Sequence, residues 1–417
     1  MLNHELKHIW QRLRETKVLE NYSFMTALQI LSALIGLLIY PYVIRVTGKE
    51  AYGTYVYALT IISYFLFIMD FGFDYPCAKA IVQANGNKGE YSHIVSVVFT
   101  AKLILTLLCG IIITTLMYIV PFMQVNRALC IFTFVQTFAT VMFPGWYFQG
   151  TKNMKVVTYI NLSFRLLTIP FIIWLVHSPQ DIWCYALIVM SSIVLGTITA
   201  YVSLLREGVR VTILPIHQLY SFVRDAFPFF LTNFTDGLKS TLLKTIIKHV
   251  FGVGEVAIYD MAEKIINIPH LFTKNINAAL FPEIVSNATS KRVTAILKTE
   301  RIIGTICIIA TIIFSYPAVL LLGGEQMRTA IPVTMLLSVT IYTWLIVGAY
   351  LDFVFVPKGE YFYITKNQLV ALLSSIFLCS IGLLLWKDIC VVALARGLSG
   401  IAEILFCRYI TRRDKLL

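Results

Sequence analysis

Apolar runs long enough to cross a bilayer follow one another from residue 21 to residue 410, and that succession constrains the chain more than any single motif. Reading from one interruption by Gly, Pro, Asn or charge to the next places spans at 21–46, 54–82, 93–120, 128–149, 156–177 and 182–205. The second set falls at 226–248, 255–283, 301–322, 330–351, 366–386 and 389–410. A spanning helix needs about 20 apolar residues, so 417 residues accommodate twelve helices and no sizeable soluble domain. Composition agrees: 58% of residues are hydrophobic and 13% charged, against about 45–50% and about 25% in soluble domains. The expected fold is an all-α membrane protein with twelve transmembrane helices in two six-helix bundles around a central cavity.

The formal net charge of +12 invites a nucleic-acid reading until the cations are located. They cluster between apolar runs, where they orient helices instead. Of 34 Lys and Arg, 22 fall in the terminal segments and even-numbered loops, among them Lys79, Lys88 and Lys102, and 6 in the odd-numbered loops. That bias assigns both termini to the cytoplasm. Residues 1–20 place Leu2, Leu6, Ile9, Trp10 and Leu13 at helical spacing among basic neighbours, a pattern for a segment lying on the membrane surface. The apolar run after it lacks a small-residue cleavage signal and reads as an anchor. The division that follows is an N-terminal bundle (21–205), a basic cytoplasmic linker (206–225), a C-terminal bundle (226–410) and a cytoplasmic tail (411–417).

The two halves share a trace of duplication. Gly48-Lys-Glu-Ala-Tyr-Gly-Thr-Tyr-Val-Tyr-Ala58 aligns without gaps, at an offset of 204, with Gly252-Val-Gly-Glu-Val-Ala-Ile-Tyr-Asp-Met-Ala262. Each joins the first two spans of its half. Repeats of six spans keep one orientation, which is a transporter plan with the ligand between the halves.

Charge inside the spans is the functional signal, because an ionisable side chain at membrane depth costs several kcal/mol unless it meets water or a partner. Spans three, four, six, nine, ten and eleven are essentially free of it and read as packing helices. In span eight, Asp260, Glu263, Lys264, Asn267 and Lys274 fall within an arc of about 100°, with His270 at its edge. Asn233, Asp236, Lys239 and Lys244 mark span seven, Asp70 and Asp74 the end of span two, and Arg165 stands alone in span five. Asp236 with Lys239 and Asp260 with Lys264 have the spacing of local ion pairs, yet packing does not require a whole stripe. Arg396 and Glu403, seven apart in span twelve, favour an internal helix-to-helix contact over substrate contact.

Cations at depth suit a phosphate or diphosphate, Lys as a point charge and Arg as a fork. This assigns substrate binding to Arg165, Lys239, Lys244, Lys264, Lys274, Asn233 and Asn267. Carboxylates in the same space suit a coupling ion or proton, which assigns Asp70, Asp74, Asp236, Asp260 and Glu263 to that role. Catalytic, metal and cofactor motifs are not found. Asp70-Phe71-Gly72 spells a kinase triplet without the loops a kinase needs, no HExxH or phosphate-loop pattern occurs, and the eight cysteines lie in or beside apolar runs with no CxxC pair.

Several segments resemble the oligosaccharide flippases of the MOP superfamily, the polysaccharide-transport branch that includes Wzx-type O-antigen and capsule repeat-unit translocases. They are Leu38-Ile-Tyr-Pro-Tyr-Val-Ile-Arg45 with Gly48-Lys-Glu-Ala-Tyr-Gly53, Asp70-Phe-Gly-Phe-Asp74, Trp146-Tyr-Phe-Gln-Gly150 with Met154, Glu255-Val-Ala-Ile-Tyr259, Ala262-Glu-Lys-Ile265 and Phe281-Pro282. They keep the family's order over most of residues 20–285, while Lys152 stands where the family usually has glutamate. The resemblance implies a non-enzymatic protein of the bacterial inner membrane. By it, a polyprenyl-diphosphate-linked oligosaccharide is turned across the bilayer by alternating access, among membrane lipids and beside the polysaccharide polymerase machinery. The competing readings are a drug or metabolite exporter of the same superfamily and, from another class, a membrane glycan polymerase or acyltransferase. Lysines in the cavity argue against the cationic cargo of an exporter, and outer loops of about ten residues or fewer leave an enzyme little room.

Overall fold

The computed structural model describes residues 17–286, 290–414 and 416, with side chains from residue 31 onward except 32–34, 37, 236, 272–286, 290–291 and 361. Most of the surface segment expected at 1–20 lies outside the described residues. Among those described, the chain is helical and contains no strand. The helices are α1 (Lys17–Asp70), α2 (Asp74–Gln83), α3 (Lys88–Ile119), α4 (Pro121–Val125), α5 (Arg127–Met142), α6 (Gly145–Gly150), α7 (Met154–Leu175) and α8 (Ile182–Arg206). They continue as α9 (Tyr220–Phe251), α10 (Val253–Ser286), α11 (Ser290–Gly323), α12 (Ala330–Leu337), α13 (Val339–Tyr350), α14 (Tyr361–Leu385) and α15 (Ile389–Arg413).

These elements follow the apolar runs in order, and the protein is a multi-pass membrane protein. Among the described residues nine helical stretches are long and apolar enough to cross a membrane. Helices α9 and α10 have the length, at 32 and 34 residues, but fall outside the nine because they carry the polar stripe. Lipid exposure is visible in the side chains. Leu107, Leu108, Ile111 and Ile112 of α3 are exposed, as are Phe377, Leu384 and Leu385 of α14. Tyr118, Trp174, Trp183 and Trp386 are exposed at helix ends, the position of interfacial aromatic residues.

Helix boundaries have local causes. The side chain of Asn87 accepts from the N–H groups of Gly89 and Glu90 and starts α3; that of Asp388 accepts from Cys390 N–H and starts α15. Both satisfy donors that a helix start leaves unpaired. In α1 the first two spans run on as one element, interrupted at Gly48, whose φ of 77° is left-handed. Its counterpart under the 204-residue offset, Gly252, has φ 101° and separates α9 from α10. Only glycine enters that region freely, so both copies of the repeat turn on the same backbone device.

By contact the chain forms two units. One comprises the described residues within 1–42, 65–177 and 183–230, the other those within 43–64, 178–182 and 231–417. The core of the first is built by α2, α3, α6 and α8, with Phe73, Cys77, Ile81, Trp146, Tyr147, Phe148, Ala200 and Leu204 buried together. The second packs α11, α13 and α15 around Val293, Leu297, Ile346, Tyr350, Phe353 and Cys407.

The second unit therefore holds both copies of the repeat, and they touch. A Cβ on Gly53 would overlap the Val253 carbonyl, and one on Gly254 would meet the Glu50 carboxylate. Lys49 and Glu255 lie 3.6 Å apart across the same contact, and Arg45 Nη2 donates to the Leu321 carbonyl at 2.7 Å at the end of α11. Cations at helix C-termini are favourable. The repeat is thus a packing interface as well as a trace of duplication. A methyl group at position 53 presses on backbone, so Gly53→Ala should cost about 1–3 kcal/mol, the range for overpacking. Gly254→Ala, which meets the mobile end of a glutamate, should cost less. Thermal unfolding of the two purified variants compares them directly.

Candidate functional site

The second unit neutralises most of its stripe internally. Lys244 on α9 lies 3.0 Å from Asp260 Oδ1 and 2.8 Å from Glu263 Oε2 on α10. Lys264, one turn beyond Asp260, closes on its other oxygen at 2.5 Å. Tyr52, from the first half of the sequence, is 3% exposed; it donates to Asp260 Oδ2 at 3.3 Å and accepts from Lys264. The Lys264 ammonium also stands 4.9 Å from the centre of the Tyr52 ring, within cation–π range. Ser240 donates to Glu263 at 3.2 Å. Two cations and two anions are thus held with hydroxyl partners, the condition under which charge is tolerated in a poorly hydrated interior.

A second cluster joins α9, α14 and α15. Lys239 Nζ is 3.3 Å from Glu403 Oε1, with the residues 4% and 7% exposed. Asn367 Nδ2 donates to the other Glu403 oxygen at 3.2 Å, and Cys407 donates its S–H to Asn367 Oδ1 at 3.3 Å. Glu403 therefore makes the internal helix-to-helix contact expected of it, with Lys239, while Arg396, expected to make another, is directed elsewhere. Arg396 lines a cavity of about 170 Å³ with Ser240, Tyr259, Glu263, Asn267, Thr340 and Trp344.

In the first unit, Asp70 and Asp74 meet a residue that sequence reasoning put in a loop. Lys102 lies midway along α3 and is 2% exposed, so the third span is not free of ionisable residues. Its ammonium is 2.7 Å from Asp70, 3.3 Å from Asp74, and donates to the Val141 carbonyl at 3.0 Å. One lysine in a long apolar run reads as a span edge when its partners are 28 and 32 residues away. Arg165 on α7 is exposed, with its guanidinium against Gly36 of α1. A larger cavity, about 480 Å³, opens at helix ends and is lined by Lys88, Tyr91, Tyr147, Lys152 and Glu207; Tyr147 donates to Glu207 at 2.6 Å.

Of the residues expected to bind substrate, Lys244, Lys264 and Asn267 come together around one face of α10, Lys239 joins the neighbouring cluster, and Asn233 is exposed on α9. Of the carboxylates expected to couple an ion, Asp260 and Glu263 pair with Lys244, and Asp70 and Asp74 with Lys102. The side chains of Asp236 and Lys274 lie outside the described residues. Tyr52, Lys102 and the cavity position of Arg396 were not foreseen; for Tyr52 the repeat offered the only signal. Among the described residues no group of His, Cys, Asp and Glu is arranged to hold a metal.

The polysaccharide biosynthesis protein family matches residues 18–288. The chain belongs to that family. It is 25% identical over 308 residues, 73% of each chain, to a protein of Escherichia coli (strain K12) named "Putative O-antigen transporter". Its fold is similar to the lipid II flippase MurJ in an inward closed conformation, with a TM-score of 0.69, 14% identity, and 93% and 87% of the two chains covered. It is also similar to an inward-facing multidrug-resistance MATE transporter of the MOP superfamily, with a TM-score of 0.59, 15% identity, and 92% and 98% covered. The relatives are named as transporters and flippases, and the chain shares their fold within a polysaccharide biosynthesis family.

The buried lysine of the first unit gives a direct test of structure. Lys102→Met should lower stability by about 3 kcal/mol, the lower end for breaking a buried pair, since Asp70 keeps a quarter of its side chain exposed. Adding Asp70→Asn and Asp74→Asn should recover most of that loss in thermal unfolding.

Proposed function

We propose that the protein is a flippase that turns a polyprenyl-diphosphate-linked oligosaccharide repeat unit from the inner to the outer leaflet of the bacterial inner membrane, for O-antigen or capsule synthesis. The observation that carries this reading is the charge at membrane depth on α9 and α10, in a chain whose family and curated relative both concern polysaccharide. The repeat, the fold shared with MurJ and the MATE transporter, and the bias of cations toward even-numbered loops support alternating access between two halves with both termini in the cytoplasm.

Each class of side chain has a part in this cycle. Lys264, whose side chain is more exposed than those of its partners, Lys274, Arg165, Asn233 and Asn267 meet the diphosphate and sugars, while the lipid tail stays in the bilayer. Lys239 and Lys244 set the charge around them. The carboxylates Asp70, Asp74, Asp236, Asp260 and Glu263 are the groups that exchange a proton or coupling ion as the halves alternate. Polymerase machinery would act next on the outer leaflet. An exporter of the same fold is the competing reading, and the lysines of α9 and α10 disfavour cationic cargo.

Deleting the gene should make lipid-linked repeat units accumulate on the cytoplasmic side and remove the surface polysaccharide. Unchanged surface glycan in the deletion strain would overturn the proposal. In the complemented strain, Lys264→Gln should reduce surface glycan severalfold at equal protein abundance, which quantitative glycan staining against immunoblotting would measure.

A further inference from the structure

The cavity in the second unit differs from the surrounding clusters in one respect: its cation is not neutralised. Lys239, Lys244 and Lys264 each lie against a carboxylate. Among the described residues the Arg396 guanidinium makes no ion pair or hydrogen bond, although Arg396 is the eighth residue of α15, about 12 Å along the axis from the Asp388 cap. A guanidinium at that depth is costly unless an anion or water meets it. Facing the same space, Tyr259 is fully buried and its hydroxyl has no hydrogen-bond partner. An orphaned buried hydroxyl loses the hydrogen bonds it made to water, a loss that a bound ligand removes.

The remaining lining supplies the rest of a recognition surface. Trp344, whose ring meets His270 at 4.0 Å between centroids, adds aromatic lining on the cavity side, and Asn267 and Ser240 offer short polar groups. Glu263, held by Lys244 and Ser240, adds an acceptor. The volume of about 170 Å³ equals the share of about six waters in liquid, which is room for one sugar ring and not for a chain of them.

We propose that this cavity is a subsite for a single acidic sugar, a pyranose bearing a carboxylate. Arg396 forks onto the carboxylate, whose planar pair of oxygens matches guanidinium geometry. Trp344 covers the apolar C–H face of the ring. Tyr259, Asn267, Ser240 and Glu263 take the ring hydroxyls. The inference rests on the flippase reading for its place in a transport cycle and makes that reading narrower: the repeat unit carries at least one acidic residue.

The test is calorimetric titration of the purified full-length protein in lipid nanodiscs with D-glucuronate, D-glucose, acetate and inorganic phosphate. Glucuronate should bind saturably, at least tenfold tighter than the other three. Arg396→Gln should lose at least tenfold and Arg396→Lys several-fold, because the ammonium keeps the charge and loses the fork. Tyr259→Phe should lose about threefold, and Trp344→Leu should weaken glucuronate while leaving acetate unchanged. Thermal unfolding identifies any variant that fails to fold, in which case the remaining variants decide. Glucuronate binding no tighter than glucose overturns the proposal, and so does wild-type affinity in folded Arg396→Gln. Phosphate binding as tightly as glucuronate also overturns it, in favour of a plain anion site. A deletion strain that loses its glycan while the purified protein ignores glucuronate would sink the subsite and keep the flippase; the converse pair of results would do the reverse.

Discussion

Placing charge where water is scarce is the constraint on which the rest of this molecule depends. An ion moved from water into a medium of low dielectric constant is destabilised by several kcal/mol even after relaxation, and the chain meets that cost at three places by assembling opposite charges from distant segments. Lys102 draws on Asp70 and Asp74 of two other helices, Lys239 on Glu403, and Lys244 and Lys264 on Asp260 and Glu263. Each assembly ties two or three helices together at fixed register. Because lipid tails are as apolar as the helices, such polar ties supply association that hydrophobicity alone cannot supply between spans.

The apolar runs made the helices legible, since nothing but a helix satisfies its own backbone inside a bilayer. Gly48 and Gly252 were legible as turns for the same reason that they occur in both halves: a reversal after an uninterrupted helix needs left-handed backbone. The Asp260–Lys264 pair could be read from a spacing of four residues. Lys102 could not, because its partners arrive through tertiary packing and a single lysine flanked by apolar residues looks like the edge of a span. Arg396 and Glu403 mark a different limit, since Glu403 makes the internal contact expected of it and Arg396 does not. Their shared helical face was visible in the sequence, but which neighbour each faces is decided by α9 and α14, and periodicity along one helix carries no information about the next.

The repeat also acquired a physical meaning beyond ancestry. Residues 48–58 and 252–262 meet where a side chain on Gly53 or Gly254 would collide with its opposite copy, so the smallness of the residues at this turn is a steric requirement. Tyr52 follows from the same contact, since the approach of the two copies brings its hydroxyl to Asp260 and Lys264. A residue from the first half of the sequence thereby completes a charged constellation otherwise supplied by the second.

The constellation of Lys244, Asp260, Glu263 and Lys264 sums to zero formal charge. Its field is that of alternating poles a few ångströms apart, which cancel one another beyond the immediate surroundings, whereas an isolated charge falls off only as the inverse of distance. The field of these two lysines therefore fades within a short distance, whereas that of the Arg396 guanidinium, which has no carboxylate partner among the described residues, reaches further. Among the described residues of this unit, pairing confines the reach of some cations and leaves that of Arg396 unconfined.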